Sequence, residues 1–266
     1  MFDLSQAVAL VTGGAQGIGR TFVEHLLAAG AKVAIGDLTN SVGAKTQQEL
    51  VAEYPGKILF VPCDVTNPTE FEAAVKSTIQ KFGTINLIIN NAGICNESEG
   101  AWQKMIRINI DGTVTGTKLG FKYMSKENGG TGGTVVNIAS LTTFVPWDPV
   151  PVYCATKAFV NQFSRSYGRP LHYESSGVKV IAINPGLTDT AILEHAAQGL
   201  VKDCDKVREN LSHFLETHPI QQVENMGKGL ITVLQNAENG AMWVIQDDEP
   251  AREITLQYNC GTTILK

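Results

Sequence analysis

The sequence predicts a single α/β domain in which a parallel sheet is doubly wound, with helices on both faces. Short apolar runs of strand length recur along the 266 residues. Most are rich in Val and Ile and lack strict alternation, which is typical of strands buried on both faces. Helix-like segments separate these runs, and strands alternating with helices favour a parallel sheet. The connections are short and no low-complexity linker divides the chain, which indicates one domain.

The predicted strands and helices alternate from the N-terminus onwards. The strands are Val8–Val11, Lys32–Ile35, Ile58–Val61, Leu87–Asn90, Thr134–Ile138, Lys179–Ile183 and Met242–Ile245. The helices are Gly17–Ala29, Ser41–Glu53, Pro68–Phe82 and Val150–Tyr173. In the first helix Phe22, Leu26 and Ala29 fall on one side, which is the pattern of a helix packed on a sheet.

The segment after the sixth strand is the least regular part of the pattern. Residues 188–219 are amphipathic and helix-like, with few signals for where a helix begins or ends. Loops that follow strand C-termini form the ligand crevice of an open α/β sheet. The segment is therefore predicted to be either a substrate lid or a surface helical insertion. Residues 247–266 are predicted to be a C-terminal tail of the single domain, residues 1–266.

The composition argues against several classes of function. A net charge of −5 and the lack of a Lys/Arg run argue against nucleic-acid binding. The N-terminus lacks the pattern of a signal peptide, and no apolar run is long enough to span a bilayer. The five cysteines form no CxxC pair, and the five histidines form no metal motif such as HExxH. We therefore expect a cytoplasmic protein with reduced, packed thiols and neither a metal site nor a membrane partner.

A glycine cluster, GxxxGxG, joins the first strand to the first helix at Gly13, Gly17 and Gly19. Glycine at this junction permits a tight turn, close approach of backbone to a phosphate and close packing of helix on sheet. The helix N-terminus offers free N–H groups and the positive end of its dipole. Turns also use glycine freely, but the position in the first strand–helix junction favours a dinucleotide site.

An acidic residue, Asp37, ends the second predicted strand, where a dinucleotide fold places a carboxylate against the adenosine ribose. That carboxylate would repel a 2′-phosphate, and Leu38 rather than Arg follows it. The cofactor is therefore predicted to be NAD rather than NADP. The alternative for Asp37 is a helix N-cap. Asp64, at the end of the third strand, is predicted either to meet the adenine or to cap a helix.

Tyr153 and Lys157 stand one helical turn apart, so their side chains share a helix face. A neighbouring ammonium favours the phenolate, so we expect Lys157 to lower the pKa of Tyr153. Such a phenol exchanges a proton with an alcohol or a carbonyl. Ser140, at the end of the fifth strand, is placed to donate a hydrogen bond to the reacting oxygen. The alternatives are a solvated helix face for the pair and a cap for the serine.

Together these residues resemble the short-chain dehydrogenase/reductase family, an NAD-linked group with a Rossmann-type fold. The chain carries TGxxxGxG, NNAG at Asn90–Gly93, the serine, YxxxK at Tyr153–Lys157, and NPG at Asn184–Gly186. The resemblance implies that Tyr153 is the general acid/base, that Lys157 holds the nicotinamide ribose, that Ser140 orients the substrate oxygen and that Asn109 completes the catalytic set through a bound water. Asn91 is implied on the adenosine side, and Thr188 and Thr190 near the nicotinamide carboxamide.

The cofactor-binding residues that the resemblance implies are spread over several strand ends. They are Gly13, Gln16, Gly17, Ile18, Gly19, Asp37, Leu38, Cys63, Asp64, Val65, Asn91, Ala92, Gly93, Tyr153, Lys157, Pro185, Gly186, Thr188 and Thr190. The family usually pairs through the helix that contains the tyrosine and the long helix before it, which implies a homodimer.

The expected reaction is NAD-linked interconversion of a secondary or allylic alcohol and its carbonyl. Mostly apolar residues are expected around the reacting oxygen, which favours a lipophilic substrate. One branch of the family carries Gln three positions before the tyrosine, where this chain has Val150. The alternatives are a non-catalytic NAD-binding sensor or scaffold, and an enzyme that acts mainly as a carbonyl reductase. The expected substrate-binding residues are Ser140, Leu141, Trp147, Val150, Tyr153 and Leu187.

Overall fold

The strands lie side by side in one sheet with the order β3-β2-β1-β4-β5-β6-β7-β8. A computed structural model describes residues 2–145, 147–200 and 205–255, and the sheet is counted over these. β1 to β7 pair in parallel, and β8 pairs antiparallel with β7. The strands are β1 Val8–Thr12, β2 Lys32–Asp37, β3 Ile58–Pro62, β4 Leu87–Asn90, β5 Gly133–Ile138, β6 Val178–Pro185, β7 Met242–Ile245 and β8 Arg252–Ile254.

The strand order reverses between β1 and β4, which are neighbours in the sheet although two strands separate them in sequence. The chain leaves β1 and β4 towards opposite sides, and a crevice opens between the C-terminal ends of these two strands. The predicted doubly wound parallel sheet is confirmed. β8 was not predicted, because Arg252 and Glu253 are exposed and the strand has no apolar pattern.

Helices cover both faces of the sheet. They are α1 Gly17–Ala28, α2 Gly43–Leu50, α3 Pro68–Phe82, α4 Trp102–Ile106, α5 Thr113–Met124, α6 Pro151–Tyr167, α7 Pro170–Ser176, α8 Ala191–Gln198, α9 Asp205–Thr217 and α10 Val223–Asn236, with a π-helical segment, Arg107–Gly112, between α4 and α5.

The predicted helix Val150–Tyr173 is divided in two. α6 ends at Tyr167, and Pro170 stands at the first turn of α7. Proline has no N–H to donate and its ring clashes with the preceding turn, so it starts a new helix rather than continuing the old one.

Successive residues of β1 point to opposite faces of the sheet and enter two separate apolar clusters. Ala9 and Val11 pack with Phe22 and Leu230 on the face covered by α1 and α10. Leu10 packs with Phe71, Met124 and others on the face covered by α3 and α5. Full burial of a side chain of this size stabilises the fold by about 1.5–3 kcal/mol. The two clusters hold the strand ends of the crevice in place.

The segment predicted as a lid or an insertion forms α8 and α9. A single bridge between Thr188 and Gln221 brings its two ends together beside the sheet. Residues 201–204 lie outside the described part of the chain, as do residues 256–266 of the predicted tail. Among the described residues, no helix has both the length and the apolar character needed to cross a membrane.

Candidate active site

The glycine cluster forms a tight loop at the C-terminal end of β1. Gly13 and Gly17 have φ angles of 60° and 54°, in the left-handed region that favours glycine. A Cβ on Gly19 would collide with the Gly13 carbonyl oxygen, so α1 approaches the loop as closely as backbone allows. α1 begins at Gly17, and the side chain of Gln16 does not cap it. The first-turn N–H groups are therefore free to hold an anion.

Two side chains join this loop to the end of β4. The Thr12 hydroxyl oxygen accepts hydrogen bonds from the main-chain N–H groups of Asn91 and Ala92, both at 3.1 Å. The Asn91 amide Nδ2 donates to the carbonyl oxygens of Thr12 at 2.9 Å and Gly13 at 3.1 Å. The amide of Asn91 thus fixes the loop, and this adds a structural role to the one implied on the adenosine side.

Asp37 ends β2 beside the same loop. Its carboxylate accepts from the main-chain N–H of Ala15 at 3.0 Å and of Leu38 at 2.8 Å. The alternative role as a helix N-cap does not apply, because α2 begins at Gly43 with Val42 as its N-cap. The Leu38 side chain is 46% exposed and offers an apolar surface next to the carboxylate.

Two other charged residues of this part of the cavity wall, Arg20 and Asp64, already have hydrogen-bond partners. The Arg20 guanidinium donates to Glu24 at 2.8 Å and to Glu49 at 2.9 Å. Asp64 accepts from the N–H and hydroxyl of Thr66, at 2.9 and 2.7 Å, and closes the turn that precedes α3. This corner of the crevice is therefore acidic, which disfavours a phosphate on the ribose 2′ position.

Tyr153 and Lys157 lie on one face of α6, with the Lys157 Nζ 5.7 Å from the centroid of the Tyr153 ring. Nζ also donates to the carbonyl oxygen of Ile138 at 2.9 Å. The side chains of Ser140 and Tyr153 both line the cavity, and the Ser140 hydroxyl lies where it favours the phenolate. Ser140 accepts from the N–H of Thr142 at 3.2 Å and so caps a short 3₁₀ turn.

Burial changes the pKa values of both groups. It raises the pKa of Tyr153, and the nearby Ser140 hydroxyl only partly opposes this rise. It lowers the pKa of Lys157 to about 8. The expectation that the pKa of Tyr153 is lowered is therefore wrong. The reason is that burial desolvates the phenolate and so disfavours it. The phenol keeps its proton at neutral pH.

Asn109 lies in the π-helical segment and is 1% exposed. Its Oδ1 accepts from the N–H of Ile94, and its Nδ2 donates to the Ile94 carbonyl and to the Thr156 hydroxyl, at 3.0, 3.0 and 3.1 Å. A Cβ on Gly93 would lie 3.3 Å from this Oδ1 and 3.4 Å from the Lys157 Nζ. The Asn109 amide and the Lys157 Nζ thus both lie close to Gly93, and Asn109 is not part of the cavity wall.

The crevice is one cavity of about 1010 Å³ that runs from the glycine loop to α9. Its walls bring together most of the residues singled out from the sequence. These are Gly13, Gln16, Gly17, Ile18, Gly19, Asp37, Leu38, Cys63, Asp64, Val65, Asn91, Ala92, Gly93, Ser140, Leu141, Trp147, Tyr153, Lys157, Pro185, Gly186, Leu187, Thr188 and Thr190.

Val150 departs from this arrangement and requires a correction. Its side chain is fully buried in a small apolar cluster with Cys95 and Ala196, and it is not part of the cavity wall. Val150 precedes the first residue of α6, and the direction in which it points depends on the loop before that helix. The sequence has no periodic pattern at this position that would predict which way the side chain points.

Aromatic side chains form the end of the cavity furthest from the glycine loop. The Trp147 and Phe214 rings lie 4.8 Å apart, and the Phe214 and His218 rings stack at 3.9 Å. All three line the cavity, although Phe214 and His218 come from α9 and the residue after it. Sequence reasoning missed these two, because the amphipathic pattern of α9 does not say which surface it covers.

Gln221 was also missed, and it holds the two ends of the segment 188–219. Its Nε2 donates to the Thr188 hydroxyl at 3.0 Å and to the Ile245 carbonyl at 2.9 Å. The Thr188 hydroxyl in turn donates to the Gly186 carbonyl at 2.9 Å. Gln221 is completely buried, and no local motif marks it.

The described thiols have no reactive setting. Burial raises the pKa of both Cys63 and Cys95 to about 12, so these groups stay protonated. Over residues 2–145, 147–200 and 205–255, no group of three or more His, Cys, Asp or Glu side chains is placed to hold a metal ion. Cys204 and Cys260 lie outside these ranges.

Comparison with known proteins identifies the family and the fold of this chain. Residues 7–200 match the family described as short chain dehydrogenase. The chain is 38% identical over 241 residues to human 15-hydroxyprostaglandin dehydrogenase [NAD(+)], covering 90% of each chain. It is 33% identical over 189 residues to alcohol dehydrogenase 1 of Ceratitis cosyra, covering 71% of each.

A solved structure agrees on the fold. A short-chain dehydrogenase/reductase from Burkholderia phymatum, in complex with NAD, superposes with a TM-score of 0.78 at 20% identity, covering 92% of this chain and 90% of that one. The chain therefore belongs to the short-chain dehydrogenase family. The segments Gly116–Gly133 and Pro151–Lys157 resemble 15-hydroxyprostaglandin dehydrogenase, and Val150–Lys157 and Asn239–Trp243 resemble insect alcohol dehydrogenases. The comparisons confirm these two groups as relatives.

Proposed function

We propose that this protein is an NAD-dependent dehydrogenase that interconverts a secondary or allylic, lipophilic alcohol and its carbonyl compound. The observation that carries the proposal is the position of Tyr153, beside Lys157 and in the same cavity wall as Ser140, in a cavity whose other end is the glycine loop. Its relatives include enzymes named as dehydrogenases of hydroxylated compounds. The chain is an oxidoreductase of the short-chain dehydrogenase family that uses NAD.

The residues of the cofactor end fit NAD. The free N–H groups at the start of α1 suit the pyrophosphate, and the close approach of Gly13 and Gly19 leaves backbone exposed to it. The Asp37 carboxylate suits the ribose hydroxyls, and Arg20 is held by two carboxylates rather than turned towards a phosphate. When bound, NAD accepts or supplies the hydride.

The protein's own part in the reaction is proton transfer at the substrate oxygen. Tyr153 holds a proton on its hydroxyl in the open cavity and gives it to a carbonyl oxygen, or accepts it back from an alcohol. Ser140 donates a hydrogen bond that orients that oxygen. Lys157, held by the Ile138 carbonyl, keeps a positive charge beside the phenol and favours its ionisation when an alcohol is oxidised.

The substrate end favours an apolar molecule. Its wall is formed by Leu141, Trp147 and Leu187, and by Phe214 from α9. We propose that the segment 188–219 is a lid whose helices close over the substrate. Gln221 and Thr188 form its hinge. One branch of the family carries glutamine at the position of Val150. Because Val150 is apolar and buried behind the cavity wall, this position offers the substrate no polar group.

We also propose a homodimer that pairs through α5 and α6. α6 presents a row of aromatic side chains away from the cavity, with Phe159 37% exposed and stacked on Phe163 at 5.5 Å. An exposed apolar row of this kind is suited to burial against a second copy. Sedimentation of the purified protein tests the pairing, and a monomer at micromolar concentration would exclude it.

Absorbance at 340 nm of the purified protein with NAD+ and a panel of secondary alcohols tests the function. Turnover that rises with the chain length of the alcohol is expected. Tight NAD binding without turnover of any alcohol or ketone would instead support a sensor or scaffold. NADH oxidation with ketones that is much faster than NAD+ reduction would support a carbonyl reductase.

A further inference from the structure

The N-terminus of α6, the helix that carries Tyr153 and Lys157, is capped from outside the helix. Val150 is the N-cap residue and makes no side-chain cap. Glu97, 56 residues earlier in the chain, places its Oε1 2.8 Å from the main-chain N–H of Tyr153. The N–H of Tyr153 lies in the first turn of α6 and has no partner within the helix, so Glu97 satisfies it.

Glu97 is an unusual residue for this place, because its side chain is only 6% exposed. Buried carboxylates are costly unless they are well hydrogen-bonded. Burial raises the pKa of Glu97, and the main chain at the start of α6 only partly opposes this rise. The hydrogen bond between the carboxylate and the Tyr153 N–H therefore stabilises both partners.

The backbone of Glu97 is attached to the other wall of the cavity. Its N–H donates to the carbonyl oxygen of Gly199 at 2.6 Å, directly after α8. A Cβ on Gly199 would collide with the side chain of Asn96, so the two segments are in close contact. Cys95 and Ala196 pack together beside them. One residue thus touches both the tyrosine's main chain and the end of a lid helix.

We propose that Glu97 is a positioning residue that links the lid segment to the catalytic helix, so that closure of α8 sets the position of Tyr153. This rests on the function proposed above. The two bonds use different parts of Glu97. The side-chain carboxylate accepts from the Tyr153 N–H, and the main-chain N–H donates to the Gly199 carbonyl oxygen. Neither of these two bonds involves the glycine loop, so we expect their loss to change the affinity for NAD+ little.

Two substitutions test the carboxylate, namely Glu97→Ala and Glu97→Gln. Alanine leaves the Tyr153 N–H without an acceptor, whereas glutamine keeps an amide oxygen in the same place. Glu97→Ala is expected to lower kcat by about 10-fold or more and to change the Kd of NAD+ by less than about 2-fold. Glu97→Gln is expected to restore kcat to within about 3-fold of wild type.

Asn67→Ala provides a matched control, because Asn67 also caps a helix, accepting from two main-chain N–H groups at the start of α3. It is expected to lower the melting temperature as Glu97→Ala does, but to leave kcat unchanged. If Glu97→Ala lowers the melting temperature by the same amount and leaves kcat unchanged, Glu97 is a structural cap only and the proposal is overturned. Glu97→Asp, which keeps the charge but is shorter, replaces the alanine variant if that variant does not fold.

Hydrogen exchange measured by mass spectrometry separates this proposal from the proposed function. In Glu97→Ala, peptides covering 150–158 and 191–199 are expected to exchange faster together, and in Glu97→Gln neither does. This readout holds even if the wild type turns over no alcohol or ketone, a result that would exclude the proposed function alone. Faster exchange in one of the two segments only would overturn the link.

Discussion

The two ends of the cavity are built in different ways. At the cofactor end, Thr12, Asn91 and Asp37 bind main-chain groups of the glycine loop and of the β4 end, and the strands they follow or end, β1, β4 and β2, are interior strands of the sheet. At the substrate end, Trp147 and Phe214 meet through ring contacts between a loop and a helix outside the sheet. The first end is fixed by directional bonds on a rigid frame, and the second by apolar packing that tolerates change. The same frame can therefore serve different substrates.

Removing the proposed proton-transfer group, the Tyr153 hydroxyl, should have the largest effect. Tyr153→Phe is expected to lower turnover by roughly 10²–10⁴-fold, since it removes the proposed general acid/base. The affinity for NAD+ should change little. Steady-state kinetics and fluorescence titration check both. Tyr167→Phe, on the same helix but outside the cavity, is the control, and turnover retained in Tyr153→Phe would exclude this mechanism.

Lys157→Met should separate activity from stability. Turnover is expected to fall by at least about 10²-fold. Because burial lowers the pKa of Lys157 to about 8, its charge costs the folded state free energy. The variant should therefore raise the free energy of unfolding at pH 7 by roughly 1–3 kcal/mol, after the loss of the bond to Ile138 is counted.

The pH dependence of that difference has a definite sign. Below pH 8 both the folded and the unfolded wild type carry the charge, and the burial cost is complete. Between about 8 and the ordinary value of 10.5, the folded state releases the proton first, so the cost disappears as the pH rises. Urea unfolding at pH 7 and pH 9.5 should show a narrowing gap. Lys179→Met, which also loses a bond to a main-chain carbonyl, should show no gain at either pH.

Asp37→Ala tests the rigid cofactor end. It is expected to weaken NAD+ binding by about 1–2 kcal/mol and to narrow the preference for NAD+ over NADP+. Asp37→Asn keeps an acceptor for the Ala15 N–H but lacks the charge, so it should narrow the preference with a smaller loss of affinity. Full preference for NAD+ in both variants would contradict the ribose assignment.

Phe214→Ala tests the adaptable end and should have the smallest effect. The KM for long apolar alcohols is expected to rise by about 5- to 10-fold, because about 1–1.5 kcal/mol of apolar contact with Trp147 and the substrate is lost. Kinetics with NAD+ as the varied substrate should not change. Phe214→Leu keeps an apolar group and should lie between the two. An equal loss for short and long alcohols would place Phe214 outside the substrate site.

The cofactor end was predictable because its signals are local. A glycine cluster after a strand, an acidic residue at the next strand end and a Tyr–Lys pair at helical spacing each report on geometry within a few residues. The substrate end was less so. Val150 was expected in the wall and is buried behind it, since the loop before α6 sets its direction. The pKa of Tyr153 depends on burial by residues far apart in sequence, and spacing alone gave the wrong sign.

The polar residues that organise the site were not visible in the sequence for a related reason. Glu97 and Gln221 act through hydrogen bonds to residues that are distant along the chain. A glutamate or glutamine in a loop is most often exposed, and only tertiary structure shows that these two are buried. β8 was missed because it is an exposed edge strand whose pairing with β7 alone defines it.

Because Thr188 and Gln221 meet at a single bridge, the chain leaves the sheet and returns to it at one point. Doubling the length of such a loop adds only about 0.6 kcal/mol to the entropy of closing it. A segment of another size between these two anchor positions is therefore expected to leave the sheet intact. Because this segment is the proposed lid, grafting the corresponding segment of a relative onto the anchors is expected to change the substrate preference.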